Sequence, residues 1–154
     1  AIGGVELGDA LHRAAGFEIL DGNAVTVGPL RLLGVDDPRV ARDGPPDGDI
    51  LASLGRDERF TLLLRHRPGG AAQLPPVFDL QLSGHTHGGQ ILPFGLVAWL
   101  ANDHYLAGLY PLPDGRQLWV SRGAGTWGPP LRLMSPPEVV LLLLTPLPSP
   151  GVTP

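Results

Sequence analysis

Val5, Leu7, Leu11 and Ala14 to Ala15 fall at helical spacing, and Gly16 follows where a C-terminal cap sits, so the chain is expected to open with a short amphipathic helix. The period then shortens. Ala24 to Val27 and Leu30 to Val35 are β-prone runs split by Gly28-Pro29, a hairpin that leads into the acidic turn Asp36-Asp37-Pro38. Residues 38 to 49 read as loop, with Asp49 placed to cap a short helix through Leu54. Phe60 to Leu64 is a continuous apolar run, the pattern of a strand buried on both faces, and it ends at Arg65-His66-Arg67-Pro68. Val77 to Leu82 is a further strand. Three more are expected at Tyr105 to Tyr110, Gln117 to Ser121 and Val139 to Thr145, the first two joined by a turn from Pro111 to Gly115. Ile91 to Ala101 is apolar apart from its proline and glycine, and reads by default as a core segment.

The polar residues that matter collect where strands end. Val77 to Leu82 runs directly into Ser83-Gly-His85-Thr-His87-Gly-Gly-Gln90, which sets two imidazoles one residue apart among glycines at 84, 88 and 89. Backbone approaches a ligand closely at glycine, and a neutral imidazole offers one lone pair to a divalent cation, so the cluster suits a metal or a phosphate. A lone His-x-His on a glycine-rich turn is more often simply solvated. His66 changes the weighting, because it too follows a buried strand, and ligand groups in α/β proteins gather at the carboxyl ends of strands. Arg122 and Arg132 lie in a glycine-rich segment after another strand; their guanidinium forks match phosphate, and an ion pair with Glu138 is the competing reading. Asp36 and Asp37 either accept from histidine ring hydrogens or close a turn. His12 and His104 have no motif around them and read as surface residues.

Composition narrows the chemistry. A chain of 154 residues is long enough for one domain with its own core. Eleven basic against fifteen acidic residues leave a formal charge of -4, which gives no electrostatic footprint for nucleic acid. With no cysteine, a metal would be held by histidine, carboxylate, amide or water, and a disulfide framework is excluded. No apolar run reaches the roughly 18 residues that span a bilayer.

Taken in order, Leu62-Leu-Leu-Arg-His66-Arg-Pro, Asp79-Leu-Gln-Leu-Ser-Gly-His-Thr-His-Gly-Gly-Gln90, Val120-Ser-Arg-Gly-Ala-Gly-Thr-Trp-Gly-Pro-Pro-Leu-Arg132 and Pro137-Glu138 resemble the membrane-associated phosphodiesterase branch of the calcineurin-like metallophosphoesterases, over about residues 5 to 145. The resemblance implies an α/β fold, the C-terminal part of a four-layer αββα sandwich, spanning 1 to 145, with 146 to 154 a Pro-rich tail expected to be disordered. It implies a metal-dependent phosphoester hydrolase with two divalent ions (manganese, iron or zinc): His66 and His85 on one, His87 on the other. Gly84, Thr86, Gly88 and Gly89 would shape the loop, and Arg122 and Arg132 would bind substrate. The family's Asp-x-His, Gly-Asp and Gly-Asn-His motifs, which bring the catalytic histidine, do not occur here. Ala1 is therefore expected to begin just after a missing N-terminal half, leaving the isolated chain incomplete and inactive. Two other readings stay open: one cation on all three histidines, and a scaffold whose site has decayed. The same branch suggests a second role for Ile91 to Ala101, a peripheral membrane contact beside the site.

Overall fold

The computed structural model describes residues 3–37, 46–91 and 93–146. Helix α1 (Gly3–Ala14) comes first and stops at Gly16, whose φ of 85° is the left-handed conformation that glycine adopts without a Cβ clash. The hairpin forms as expected from β1 (Asn23–Val27) and β2 (Leu30–Gly34), paired antiparallel. Helix α2 (Asp47–Leu54) follows, then β3 (Phe60–Leu64), β4 (Leu80–Ser83), α3 (Phe94–Ala101), β5 (Gly108–Pro111) and β6 (Gln117–Val120).

The strands form one sheet in the order β1-β2-β3-β4-β6-β5. Its centre, β2-β3-β4-β6, is parallel throughout, and antiparallel β1 and β5 close the two edges. Register sorts the side chains into rows. Leu33, Leu63, Gln81 and Leu118 align across the four parallel strands and are all fully buried. Against that face pack Leu51 of α2, Phe78 and Ala71, so one side of the sheet carries the hydrophobic core. The adjacent row, Gly34, Leu64, Leu82 and Trp119, faces the other way. It lines a cavity of about 720 Å3 together with Leu20, Val140 and Leu142. The class is mixed α/β, as the sequence indicates.

Three local expectations are corrected. Asp49 is not a cap: α2 starts two residues earlier, after Pro46, and Asp47 and Asp49 instead place negative charge in its first turn, where the helix dipole favours it. Val139 to Thr145 has the apolar content of a strand but no ladder partner among the described residues. Its side chains alternate in exposure, with Val139, Leu141 and Leu143 more than 80% exposed and Val140, Leu142 and Leu144 about 40% exposed. Ile91 to Ala101 is not a core segment, since Leu96, Val97 and Leu100 of α3 are about 60% exposed. A helix apolar all round can bury only the side that meets a neighbour, and α3 meets the 87–89 turn rather than a sheet face. The expectations for 38 to 45 and for the 147–154 tail lie outside the described residues.

Candidate metal centre

Parallel strands deliver their carboxyl ends to one edge of the sheet, and four loops leave it there. Asp36 and Asp37 follow β2, His66 and Arg67 follow β3, His85 and His87 follow β4, and Arg122 follows β6. This is where α/β folds assemble ligand sites.

The loop after β3 is fixed by Arg65. Its Nε donates to Asp47 Oδ2 at 2.6 Å, with both side chains about 10% exposed, and its Nη1 donates to the carbonyls of Arg67 and Gly69 at 2.7 and 2.6 Å. Such a shielded, fully hydrogen-bonded pair positions backbone well. Ser83 Oγ donates to Arg65 O at 2.6 Å and so joins the ends of β3 and β4. The joined ends bring His66 Nε2 to 3.2 Å from His85 Nδ1, with ring centroids 5.0 Å apart and planes at 71°.

That separation suits a shared cation. Two imidazole nitrogens, each roughly 2.0–2.1 Å from one tetrahedral ion, stand about 3.3–3.4 Å apart. In the structure one contact competes: Arg67 Nη1 donates to His85 Nε2 at 2.8 Å while its Nε donates to both oxygens of Asp37, at 2.9 and 3.0 Å. Asp37 is thus a carboxylate partner of arginine. Its neighbour Asp36 has its carboxyl pushed up, first by burial and then by the charges of Asp21 and Asp9.

His87 points into a different environment. The turn from 85 to 90 is almost continuously left-handed: His85, His87 and Gln90 have φ of 67, 51 and 42°, and Gly88 and Gly89 have 60 and 80°. Thr86 holds it, its Oγ1 donating to Leu106 O at 2.6 Å and accepting from Gly88 N. A Cβ at Gly89 would stand 2.5 Å from Gly95 Cα, and one at Gly88 2.5 Å from Ser135 Oγ. The glycines are there because α3 and the 122–135 loop press on the backbone. A Cβ at Gly84 meets nothing.

Arg122 and Arg132 both sit by His87, and both are occupied. Arg122 Nη1 pairs with Glu138 Oε2 at 2.8 Å; Arg122 N–H, then the guanidinium charge, hold the Glu138 carboxyl below the usual range. Arg132 is a clamp on backbone. It donates to the carbonyls of His87 (3.2 Å), Ser135 (3.1 Å), Arg122 (2.9 Å), Gly123 (3.1 Å) and Gly125, and lies 3.5 Å from His87 Nδ1. Ser135 Oγ adds a second donor to His87 O at 2.7 Å. Gln90 performs the same task from the other side, donating to Trp127 O at 2.8 Å and accepting from Trp127 N at 2.7 Å.

The structure brings His66 and His85 together and leaves His87 apart. Among the described residues no group of three histidine or carboxylate side chains converges as a metal set, so the reading of one cation on all three histidines is not assembled. Sequence reasoning missed Arg65, Arg67, Gln90 and Ser135. The run Arg65-His66-Arg67 was the visible signal for the first two, a pair of guanidiniums flanking a candidate ligand. His104 is exposed, as the sequence reading has it, and its ring lies tilted over Trp99 with centroids 4.0 Å apart.

A mixed α/β sheet with two imidazoles brought together at its parallel strand ends is the arrangement in which α/β proteins present ligand groups. Comparison with known proteins makes this specific. The chain is 42% identical over 132 residues to an uncharacterized metallophosphoesterase of Helicobacter pylori J99, covering 83% of the chain and 35% of that protein. It is 36% identical over 137 residues to an uncharacterized metallophosphoesterase of Aquifex aeolicus, covering 86% and 52%. It is 42% identical over 87 residues to a Bos taurus transmembrane protein with metallophosphoesterase domain, covering 54% and 19%. The chain belongs to the metallophosphoesterase family. It spans between a third and about half the length of the first two relatives. No family model matches it, and no solved structure matches it.

Proposed function

We propose that this chain is the C-terminal part of a calcineurin-like phosphoester hydrolase with a binuclear centre, to which His66 and His85 contribute ligands for one ion and His87 a ligand for the other. The observation that carries the reading is the approach of His66 Nε2 to His85 Nδ1 at 3.2 Å, at the ends of adjacent parallel strands. Manganese, iron or zinc all suit imidazole mixed with carboxylate. Bound divalent ions would supply an acidified water and neutralise charge on phosphoryl oxygens. The chain's own part is to fix the rings: Arg65 and Ser83 join the two strand ends, and Arg132, Ser135 and Gln90 hold the His87 turn. Arg122 would turn from Glu138 to take a phosphoryl oxygen, and Arg132 would act beside it through the loop it fastens.

The remaining ligands and the catalytic histidine would come from sequence outside this chain, docked on the row Leu64, Leu82 and Trp119 and on Val139, Val140 and Leu142 beside it. The test is titration of the chain with manganese alongside an assay on bis(p-nitrophenyl) phosphate. Binding that is lost in both His66→Ala and His85→Ala, with turnover near background, is expected. Robust turnover by the chain alone, or binding indifferent to both substitutions, would refute it.

A second proposal concerns the rim of the site. Exposed Leu96, Leu133 and Met134 line a groove beside Gly88 and Gly89, Val97 and Leu100 of α3 and Trp127 and Leu131 of the later loop are exposed as well, and neither 86–101 nor 123–137 contains an acidic residue in a chain of net charge -4. A lipid surface is the partner this favours, because apolar and aromatic side chains without carboxylates enter an interface at least cost.

A further inference from the structure

Four arginines surround the candidate centre, and three of them hold carboxylates or backbone carbonyls. Arg65 is held between Asp47 and two carbonyls, Arg122 by Glu138, and Arg132 by five carbonyls. Arg67 differs. Its Nε faces Asp37 and its Nη1 donates to His85 Nε2 at 2.8 Å, which makes it, among the described residues, the arginine that bonds a ring nitrogen of the His66–His85 pair. A positive group set between a carboxylate and an imidazole occupies the kind of place a divalent cation takes.

We propose that Arg67 is an exchangeable guanidinium: it holds His85 in the metal-free chain, is released from it when a cation binds there, and then recognises a phosphoryl oxygen of the substrate. The inference rests on the metal-centre reading above and deepens it.

Lone-pair counting makes the two states exclusive. Arginine only donates, so His85 Nε2 accepts from Arg67 and holds the single lone pair of a neutral imidazole; Nδ1 then carries the hydrogen and donates to His66 Nε2. A cation taking Nε2 displaces Arg67 directly. A cation taking Nδ1 needs the lone pair there, which leaves the ring hydrogen on Nε2, pointing at the hydrogens of Nη1. Two donors cannot share that contact, and the positive ion repels the guanidinium as well. On either nitrogen, metal excludes Arg67 from His85.

Release need not detach the side chain. Asp37 grips Nε, which leaves both terminal amines to swing as a fork, and a fork is the shape that matches two phosphoryl oxygens. The same Asp37 keeps the guanidinium at the site rather than in solvent.

The experiment is manganese binding by isothermal calorimetry to the wild-type chain, R67Q and D37N/R67Q, the double variant removing the carboxylate charge that R67Q leaves unpaired. Removing one charged donor that competes for the ligand nitrogen is expected to tighten manganese binding about five- to tenfold in both variants. Inorganic phosphate binding to the manganese-loaded chain is expected to weaken at least about tenfold in R67Q, with R67K intermediate because lysine keeps the charge without the fork. Manganese affinity unchanged or weaker in both variants would overturn the exchange, and so would unaltered phosphate binding. H85A separates the two levels of the argument: if it binds manganese as wild type does, the metal-centre reading itself falls. If H85A loses binding while R67Q equals wild type, only the exchange falls.

Discussion

Arg132→Ala is the perturbation whose consequence can be followed furthest. The guanidinium donates to the carbonyls of Arg122, Gly123, Gly125, Ser135 and His87, and so ties the start of the 122–135 loop to its end and both to the metal turn. Hydrogen bonds from a charged donor contribute about 1.5–3 kcal/mol each at most, and five carbonyls share five N–H groups. The Gly125 contacts are exposed, and water would rehydrate them after truncation. Counting the partly buried contacts at a discount, the loss comes to about 2–4 kcal/mol. Because it is concentrated in one loop, it should appear as local opening, accelerating amide exchange there by roughly 30- to 700-fold at about 1.4 kcal/mol per decade. Hydrogen exchange read by mass spectrometry on peptides covering 86–91 and 122–136 is the assay, with R132K expected to recover only part of the protection. If exchange in both peptides stays within about threefold of wild type, the clamp reasoning is wrong. A loss of phosphate binding with exchange unaltered would return Arg132 to the direct substrate role its sequence position suggests.

Other perturbations probe the same architecture. Gly89→Ala combines a left-handed φ of 80° with a Cβ 2.5 Å from Gly95 Cα, and should destabilise the chain by about 2–4 kcal/mol in urea unfolding, whereas Gly84→Ala, which meets no neighbour, should cost under about 1 kcal/mol; equal effects would sink the account of α3 docking. Glu138 has a folded pKa below its unfolded value, so the stability it contributes is present above the unfolded value and lost as pH falls through the folded one. The stability gap between wild type and Glu138→Gln should therefore close in acid, below the usual glutamate range, and a gap independent of pH would contradict the Arg122–Glu138 pairing. For the rim, replacing Leu96, Trp127 and Met134 by serine should abolish sedimentation with anionic vesicles while leaving manganese affinity unchanged; wild-type chain that never sediments would end the lipid proposal.

Much of the fold was legible because the parallel strands are buried. Phe60–Leu64 announces itself by a run apolar except for β-prone Thr61, and the hairpin by Gly28-Pro29 between two β-prone runs. Val139 to Thr145 has the same apolar signal and no ladder, since composition records what a segment prefers and pairing needs a neighbour. Ile91 to Ala101 fails for a related reason: an apolar stretch specifies burial only if a surface is presented to receive it. The approach of His66 to His85 followed from two strand ends, a local feature twice repeated. Arg132 was ambiguous because a guanidinium fork fits a phosphate and a set of carbonyls equally well. The Asp37, Arg67 and His85 chain joins three loops, and only the tertiary structure brings them into register.

The left-handed turn at 85 to 90 sets stability against ligand supply. Residues with a Cβ are disfavoured in that conformation by about 1–2 kcal/mol, and three of them stand there, two being histidines. Glycine at 85 or 87 would relieve the backbone and delete a donor in one step. Mutation followed by selection for foldedness alone would therefore drift toward a sturdier, ligand-poor turn, and histidines persist at these positions only under selection for something other than folding. A library screened for thermal resistance should make that drift visible, enriching glycine at 85 and 87 ahead of the rest of the loop.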